Sequence, residues 1–214
     1  MNCIEGRNER SINNDYNDLH NNKLCSFTLD SLWLSCLCYV KGDEEMTLIE
    51  KIRTKLRGGE LTITLNKIFE FVKFSKIEGD YLEFGVYKGT TFKTAYNISK
   101  ELKIDMKFYA FDSFRGLPEN EMEFKKGEYK NNLKDFINIL KRERIKMKDT
   151  TIVKGWYNEI LNGKLRRRLR IKKASVIMID CDLYKSTKSV LKFITPYIQD
   201  GTIIIFDDWY CQKG

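Results

Sequence analysis

Two pairs of acids stand out in a lysine-rich chain: Asp180 and Asp182 in IDCDLY, and Asp207 and Asp208 in FDDWY. Each pair closes a short apolar run, SVIMID over 175–180 and GTIIIFDD over 201–208, with Asp207 lying 27 residues beyond Asp180. Carboxylates gathered at two neighbouring strand ends repel one another unless a cation sits among them. Oxygen donors of this kind suit Mg²⁺ or Ca²⁺ rather than zinc. Asp180, Asp207 and Asp208 are therefore the candidate metal ligands, and Asp180 or Asp182 the candidate proton acceptor. The plainer alternative makes some of them helix caps or loop acids, Asp182 first among them.

Two further segments carry recognition chemistry. In Glu83-Phe-Gly85-Val86-Tyr-Lys-Gly89-Thr90 the glycines permit a tight turn and close approach of a ligand to the backbone, ahead of a helix N-terminus. The GxGxxG spacing that cradles a pyrophosphate is missing, and bulky Tyr87 occupies the turn. Asp112, 27 residues after Gly85, closes the run KFYAFDS, where an acid can accept hydrogen bonds from both hydroxyls of a ribose. Alone, the glycine turn fits simple strand-on-helix packing, and Asp112 fits a cap for the turn that follows it.

These residues meet only if the runs that carry them are strands of one sheet. From residue 80 onward, short apolar runs at 81–86, 107–113, 150–155, 175–180 and 201–208 alternate with amphipathic stretches at 90–103, 130–145, 157–169 and 186–199. That rhythm predicts an α/β fold, a Rossmann-like, doubly wound and mostly parallel sheet of about five strands in the order 3-2-1-4-5. Its fourth and fifth strands are neighbours. Before the sheet, residues 1–23 read as a flexible polar arm and 24–78 as a helical region, with Leu48, Ile49, Ile52 and Leu56 on one face. Leu61, Leu65, Ile68, Phe69 and Val72 form another, after the break at Gly58-Gly59.

With 214 residues, 42% of them hydrophobic, the chain can fill a single core, and two prolines are too few for an all-β sandwich. A net charge of +8 raises the question of nucleic acid. The charge is mostly diffuse, and its one dense run, 164–173, lies on Leu161, Leu165 and Leu169 at helical spacing, so a solvated helix face is expected there in preference to a phosphate-binding patch. Six cysteines without a CxxC pair and a lone His20 give no zinc pattern. The apolar stretch 24–40 contains Asp30 and is shorter than the roughly 20 residues a membrane span needs. Residues 1–23 lack the basic start and apolar centre of a signal peptide. A cytoplasmic protein with reduced thiols is expected, without a membrane or nucleic-acid partner.

Taken in order from about residue 79 to the end, GDYLEFGVYKGTT, FYAFDSFRGLPE, KGWYNEIL, IDCDLYKST and GTIIIFDDWYCQKG resemble the TylF/MycF-like macrocin O-methyltransferase family. The first of these is similar to the E/DxGxxxG turn of class I S-adenosylmethionine-dependent methyltransferases. The resemblance implies a metal-dependent O-methyltransferase acting on a hydroxyl of a sugar or other small molecule. It places S-adenosylmethionine against Glu83, Gly85, Val86, Gly89 and Thr90, its ribose on Asp112, and its adenine near Ser113, Phe114, Lys154, Gly155 and Trp156. It also implies Mg²⁺ on Asp180, Asp207 and Asp208, and in-line attack by the acceptor oxygen with Asp180 or Asp182 taking the proton. The family's chains run on through a helix and two more strands, whereas this sequence stops at Gly214, six residues after Asp208. The expectation is thus a C-terminally shortened domain over 79–214, its fifth strand an edge open to a second copy in a homo-oligomer. The alternative role is a non-catalytic cofactor-binding or partner domain derived from the family.

Overall fold

The computed structural model describes residues 25–28 and 59–207. Strand β1 spans Cys25–Thr28 and helix α1 Gly59–Phe74. Thereafter strands and helices alternate: β2 Asp80–Phe84, α2 Thr90–Glu101, β3 Phe108–Asp112, α3 Leu133–Arg142, β4 Thr150–Lys154, α4 Tyr157–Ile160, α5 Gly163–Leu169, β5 Ala174–Ile179, α6 Tyr184–Ile194 and β6 Ile203–Phe206. The sheet runs β4-β3-β2-β5-β6-β1, and every pairing is parallel. Its last five strands reproduce the expected order 3-2-1-4-5.

The interior strands are unbroken apolar runs because helices cover both faces of the sheet. Tyr81, Phe108, Val176 and Ile203 face α1, α2 and α3, packing with Leu65 and Phe69, Phe92 and Ala95, and Phe136 and Leu140. Leu82, Tyr109, Ile177 and Ile204 point the opposite way, toward Leu165 of α5 and Val190 and Phe193 of α6. On that face Phe84 and Phe111 stack at 4.4 Å between centroids across the β2–β3 pair. Because every pairing is parallel, the C-terminal ends of the strands, and so the candidate acids, lie at one edge of the sheet.

Three departures from the sequence reading have local causes. Residues 25–28 fall within the stretch expected to be helical and instead form β1, paired with β6 from Cys25↔Ile203 to Thr28↔Phe206. An open strand edge offers a row of unpaired backbone groups, and the expected edge on β6 is taken by this segment. The helix expected over 157–169 is two helices, because the Asn162 side chain accepts from the amides of Lys164 and Leu165 and restarts the chain as an N-cap. Finally, α6 gives way at Thr195–Tyr197 to a 3₁₀ turn containing Pro196, well short of 199. The polar arm at 1–23 and the face carrying Leu48, Ile49, Ile52 and Leu56 lie outside the described residues. In the basic run Leu165 is buried, while Arg166 lies over the Phe193 ring at 5.4 Å and donates to the Lys192 carbonyl. Among the described residues no helix is long and apolar enough to cross a membrane.

Candidate active site at the ends of the strands

The turn after β2 is built by close approach. Gly85 has a φ of +92°, and a β-carbon there would stand 1.6 Å from the Asp180 carbonyl oxygen. No other residue fits. The Gly85 amide donates to the Phe111 carbonyl at 2.9 Å, and the Asp180 amide to that of Phe84 at 2.8 Å, so the exits of β2, β3 and β5 are laced together at this point. Gly89, with φ +74°, starts α2, and its missing side chain makes room for the Phe136 ring. Thr90 is the exposed first residue of that helix.

Asp112 clamps the turn from the neighbouring strand. Its Oδ2 accepts from the amides of Val86 at 3.0 Å and Tyr87 at 3.2 Å, and its Oδ1 from the amide of Phe114 at 2.6 Å. Burial raises its proton affinity above the ordinary aspartate value, against the pull of those three amides. The capping role is therefore real and extends across strands. Oδ1, with a single amide partner, retains a lone pair for a ligand hydroxyl.

Glu83 lies beneath the turn, only 1% exposed. The Tyr81 hydroxyl donates to its Oε2 at 2.5 Å, and the Phe92 amide, in the first turn of α2, donates to the same carboxyl. Gly89 has no side chain to cap this helix, and Glu83 supplies the missing acceptor from within the sheet. Burial is the main reason its pKa rises from 4.5 to about 8; the Tyr81 hydrogen bond opposes the shift, and the charges of Asp112 and Asp207 add to it.

Beyond Asp112 a cleft of about 300 Å³ opens at the ends of β3 and β4. Ser113, Lys154, Gly155 and Trp156, all expected on the adenine side, line it together. Phe114 does not line it: its backbone is left-handed, at φ 53°, and its buried ring packs on Phe136 at 5.6 Å, in the core. Three lining residues escaped the sequence reading. Arg115 lies over the Trp156 ring at 5.3 Å, and Glu159 and Ile160 return to the cleft one helical turn after Trp156. The spacing of three and four residues from Trp156 was the available signal. Gly155, with φ +147°, leaves room for Ile160, whose Cγ2 would meet a β-carbon at 2.4 Å.

The acids occupy the other half of the same edge. Ile179 and Phe206 are paired residues of β5 and β6, so Asp180 and Asp207 follow at adjacent strand exits, with the Asp207 amide donating to the Ile179 carbonyl at 3.2 Å. Asp182 sits in a left-handed conformation, φ 57°, two residues before α6. Tyr157, whose hydroxyl donates to the Phe111 carbonyl at 3.0 Å, holds its proton tightly, chiefly through burial, with the nearby Asp112, Asp180 and Asp182 acting in the same sense. Burial likewise pushes the Cys181 thiol up. The acids thus act on common neighbours. Among the described residues no group of three His, Cys, Asp or Glu side chains is arranged to hold a metal ion, and Asp208 lies outside those residues.

Comparison with known proteins extends this picture. The family model described as Macrocin-O-methyltransferase (TylF) matches residues 54–214. A curated relative from Streptomyces olivaceus, 8-demethyl-8-(2,3-dimethoxy-alpha-L-rhamnosyl)-tetracenomycin-C 4'-O-methyltransferase, is 27% identical over 153 residues, 65% of this chain. The match spans 56% of that relative's own length. Among solved structures, the calicheamicin methyltransferase CalS11 superposes with a TM-score of 0.60 at 17% identity, covering 98% of this chain and 85% of its own. The O-methyltransferase NovP does so with a TM-score of 0.59 at 19% identity, covering 77% and 67%. These two likenesses are of fold.

Proposed function

The chain belongs to the macrocin-O-methyltransferase (TylF) family, and on that premise we propose that it transfers a methyl group from S-adenosylmethionine to a hydroxyl of a small-molecule acceptor, most fittingly a sugar. The observation that carries this reading is the convergence of Ser113, Lys154, Gly155 and Trp156 on one cleft beside Asp112. Trp156 and Ile160 offer apolar walls for a flat heteroaromatic ring, and Ser113 and Glu159 offer polar atoms for its edge. Asp112 keeps an acceptor for a ribose hydroxyl, and Gly85, Val86, Gly89 and Thr90 form the backbone wall next to it. Glu83 acts from below, by holding α2 against the turn. A sugar acceptor is favoured by the curated relative, whose name describes a rhamnosyl 4′-O-methyltransferase.

When bound, S-adenosylmethionine supplies an electrophilic methyl group on a sulfonium. The protein's part is to hold the acceptor oxygen in line with it, exclude water and receive the hydroxyl proton, for which Asp180 and Asp182 are the candidates. Hard carboxylate donors at adjacent strand exits also suit Mg²⁺, with Asp180, Asp207 and Asp208 as its ligands. There it would lower the acceptor hydroxyl's pKa. A cytoplasmic setting accords with such chemistry, and assembly into a homo-oligomer is part of the same reading.

The test is titration calorimetry with S-adenosylhomocysteine, followed by methyl-transfer assays on rhamnosyl acceptors with and without Mg²⁺. Saturable binding and metal-stimulated transfer are expected. Absence of any binding to folded protein would sink the proposal, while binding without transfer to any acceptor would leave a cofactor-binding partner domain.

A further inference from the structure

Between β3 and α3 the chain makes an excursion, residues 116–131, to which the preceding assignment gives no role. Its base is closed by backbone bonds, Leu117 amide to Glu128 carbonyl at 3.0 Å and Gly127 amide to Leu117 carbonyl at 2.9 Å. Gly116 permits that closure: at φ +80° its β-carbon would lie 2.5 Å from the carbonyl oxygens of Gly127 and Glu128.

Three attachments carry this loop across the edge where the strands end. At its root the Gly116 carbonyl accepts from Ser113 Oγ at 2.8 Å and from Trp156 Nε1 at 3.4 Å, both residues of the cleft. On the return limb Asn131 Nδ2 donates to the Tyr87 carbonyl at 2.6 Å, and the Tyr129 ring meets that of Tyr87 edge-on at 5.8 Å. At the tip Glu121 Oε1 accepts from the Tyr184 amide at 2.7 Å, and Glu119 pairs with Lys185 at 3.0 Å. The loop therefore links the glycine turn, the cleft and the acid-bearing side of the sheet.

The tip contact has a specific physical logic. Leu183, at the N-cap of α6, has no side-chain acceptor to offer the helix's first amides, and Glu121 brings a charged one to the Tyr184 amide from 63 residues away. A carboxylate on a helix N-terminus gains from the helix dipole as well as from the hydrogen bond. The Glu119–Lys185 pair is exposed and adds little. Tyr184 is 70% exposed, so breaking the Glu121 contact hands its amide to water and leaves the core untouched.

We propose that residues 116–131 form a strap across the strand ends from the edge of the cofactor cleft to α6, that Glu121 is its clasp on α6, and that release of this clasp sets how fast cofactor enters and leaves. The gating rests on the cofactor reading above; the clasp itself does not. Glu121 is a positioning residue, acting through the strap.

The experiment compares the parent chain with Glu121→Ala and Glu121→Gln, the latter keeping an acceptor oxygen. In stopped-flow release of S-adenosylhomocysteine, Glu121→Ala should release about tenfold faster, the scale of one lost charge-assisted hydrogen bond, and Glu121→Gln should recover most of the difference. Trypsin should cut after exposed Lys125 and Lys126 faster in ligand-free Glu121→Ala than in the parent, at unchanged Tm, and bound S-adenosylhomocysteine should protect the parent far more than the variant. Release rates within twofold of one another would overturn the gating. Equal cleavage of the ligand-free forms would overturn the clasp, even if no form bound cofactor product.

Discussion

Gly85 approaches the carbonyl oxygen of Asp180 so closely that the smallest side chain would place a carbon 1.6 Å from it. The contact joins the glycine turn after β2 to the strand exit that carries Asp180, with no space between. Either Gly85 must be glycine or β5 must move, and β5 is locked in the centre of the sheet between β2 and β6. Gly85→Ala should therefore cost at least about 3 kcal/mol, combining a forbidden φ with overpacking. Urea unfolding checks this, and a loss under about 1 kcal/mol would contradict it.

Glu83 couples the same turn to pH. In the unfolded chain it ionises near 4.5, in the fold at about 8. Between those values the folded protein keeps a proton that the unfolded chain has released, so this group's contribution is whole below pH 4.5 and is lost as pH climbs to 8. Asp112, also raised, adds in the same sense at lower pH. The urea midpoint should fall from pH 6 to pH 8.5, and Glu83→Gln should flatten that fall. An unchanged slope in the variant would assign the pH dependence elsewhere.

Trp156 is the residue whose loss should separate binding from stability. It is half-buried and sits at the cleft rather than in either core layer. Trp156→Ala should weaken S-adenosylhomocysteine binding by about tenfold, the value of one aromatic wall, with little change in Tm. Calorimetry and a melting curve on the same sample decide it.

Divalent metal should matter for transfer and not for cofactor binding. Chelation with EDTA, or Asp207→Asn, should each reduce methyl transfer by about 100-fold or more, and leave the S-adenosylhomocysteine Kd within about twofold. Transfer indifferent to both would remove Mg²⁺ from the mechanism.

The fold was largely legible because its strands are buried on both faces and so announce themselves as apolar runs, as in SVIMID and IIIF. What escaped was set by tertiary contact. Nothing in CSFT names β6 as its partner, since a four-residue strand takes its pairing from the edge it finds. Asn162 looks like one polar residue in a helical stretch until its side chain caps the next helix. Within the candidate site, Asp112, Ser113 and the KGW segment are legible from their types and their places at strand ends. Glu83 is legible as an acid beside the turn but lies underneath it, because a residue at that register of β2 shares the face of Tyr81 and points into the core.

The pairing of β1 with β6 carries a consequence for synthesis. Cys25 is translated 178 residues ahead of its partner Ile203, so β1 must wait for all of that intervening chain to be made before it can pair with β6. The core order β4-β3-β2-β5 can assemble from successive neighbours in the meantime. Among the described strands, the first to be translated is thus the last to find its place.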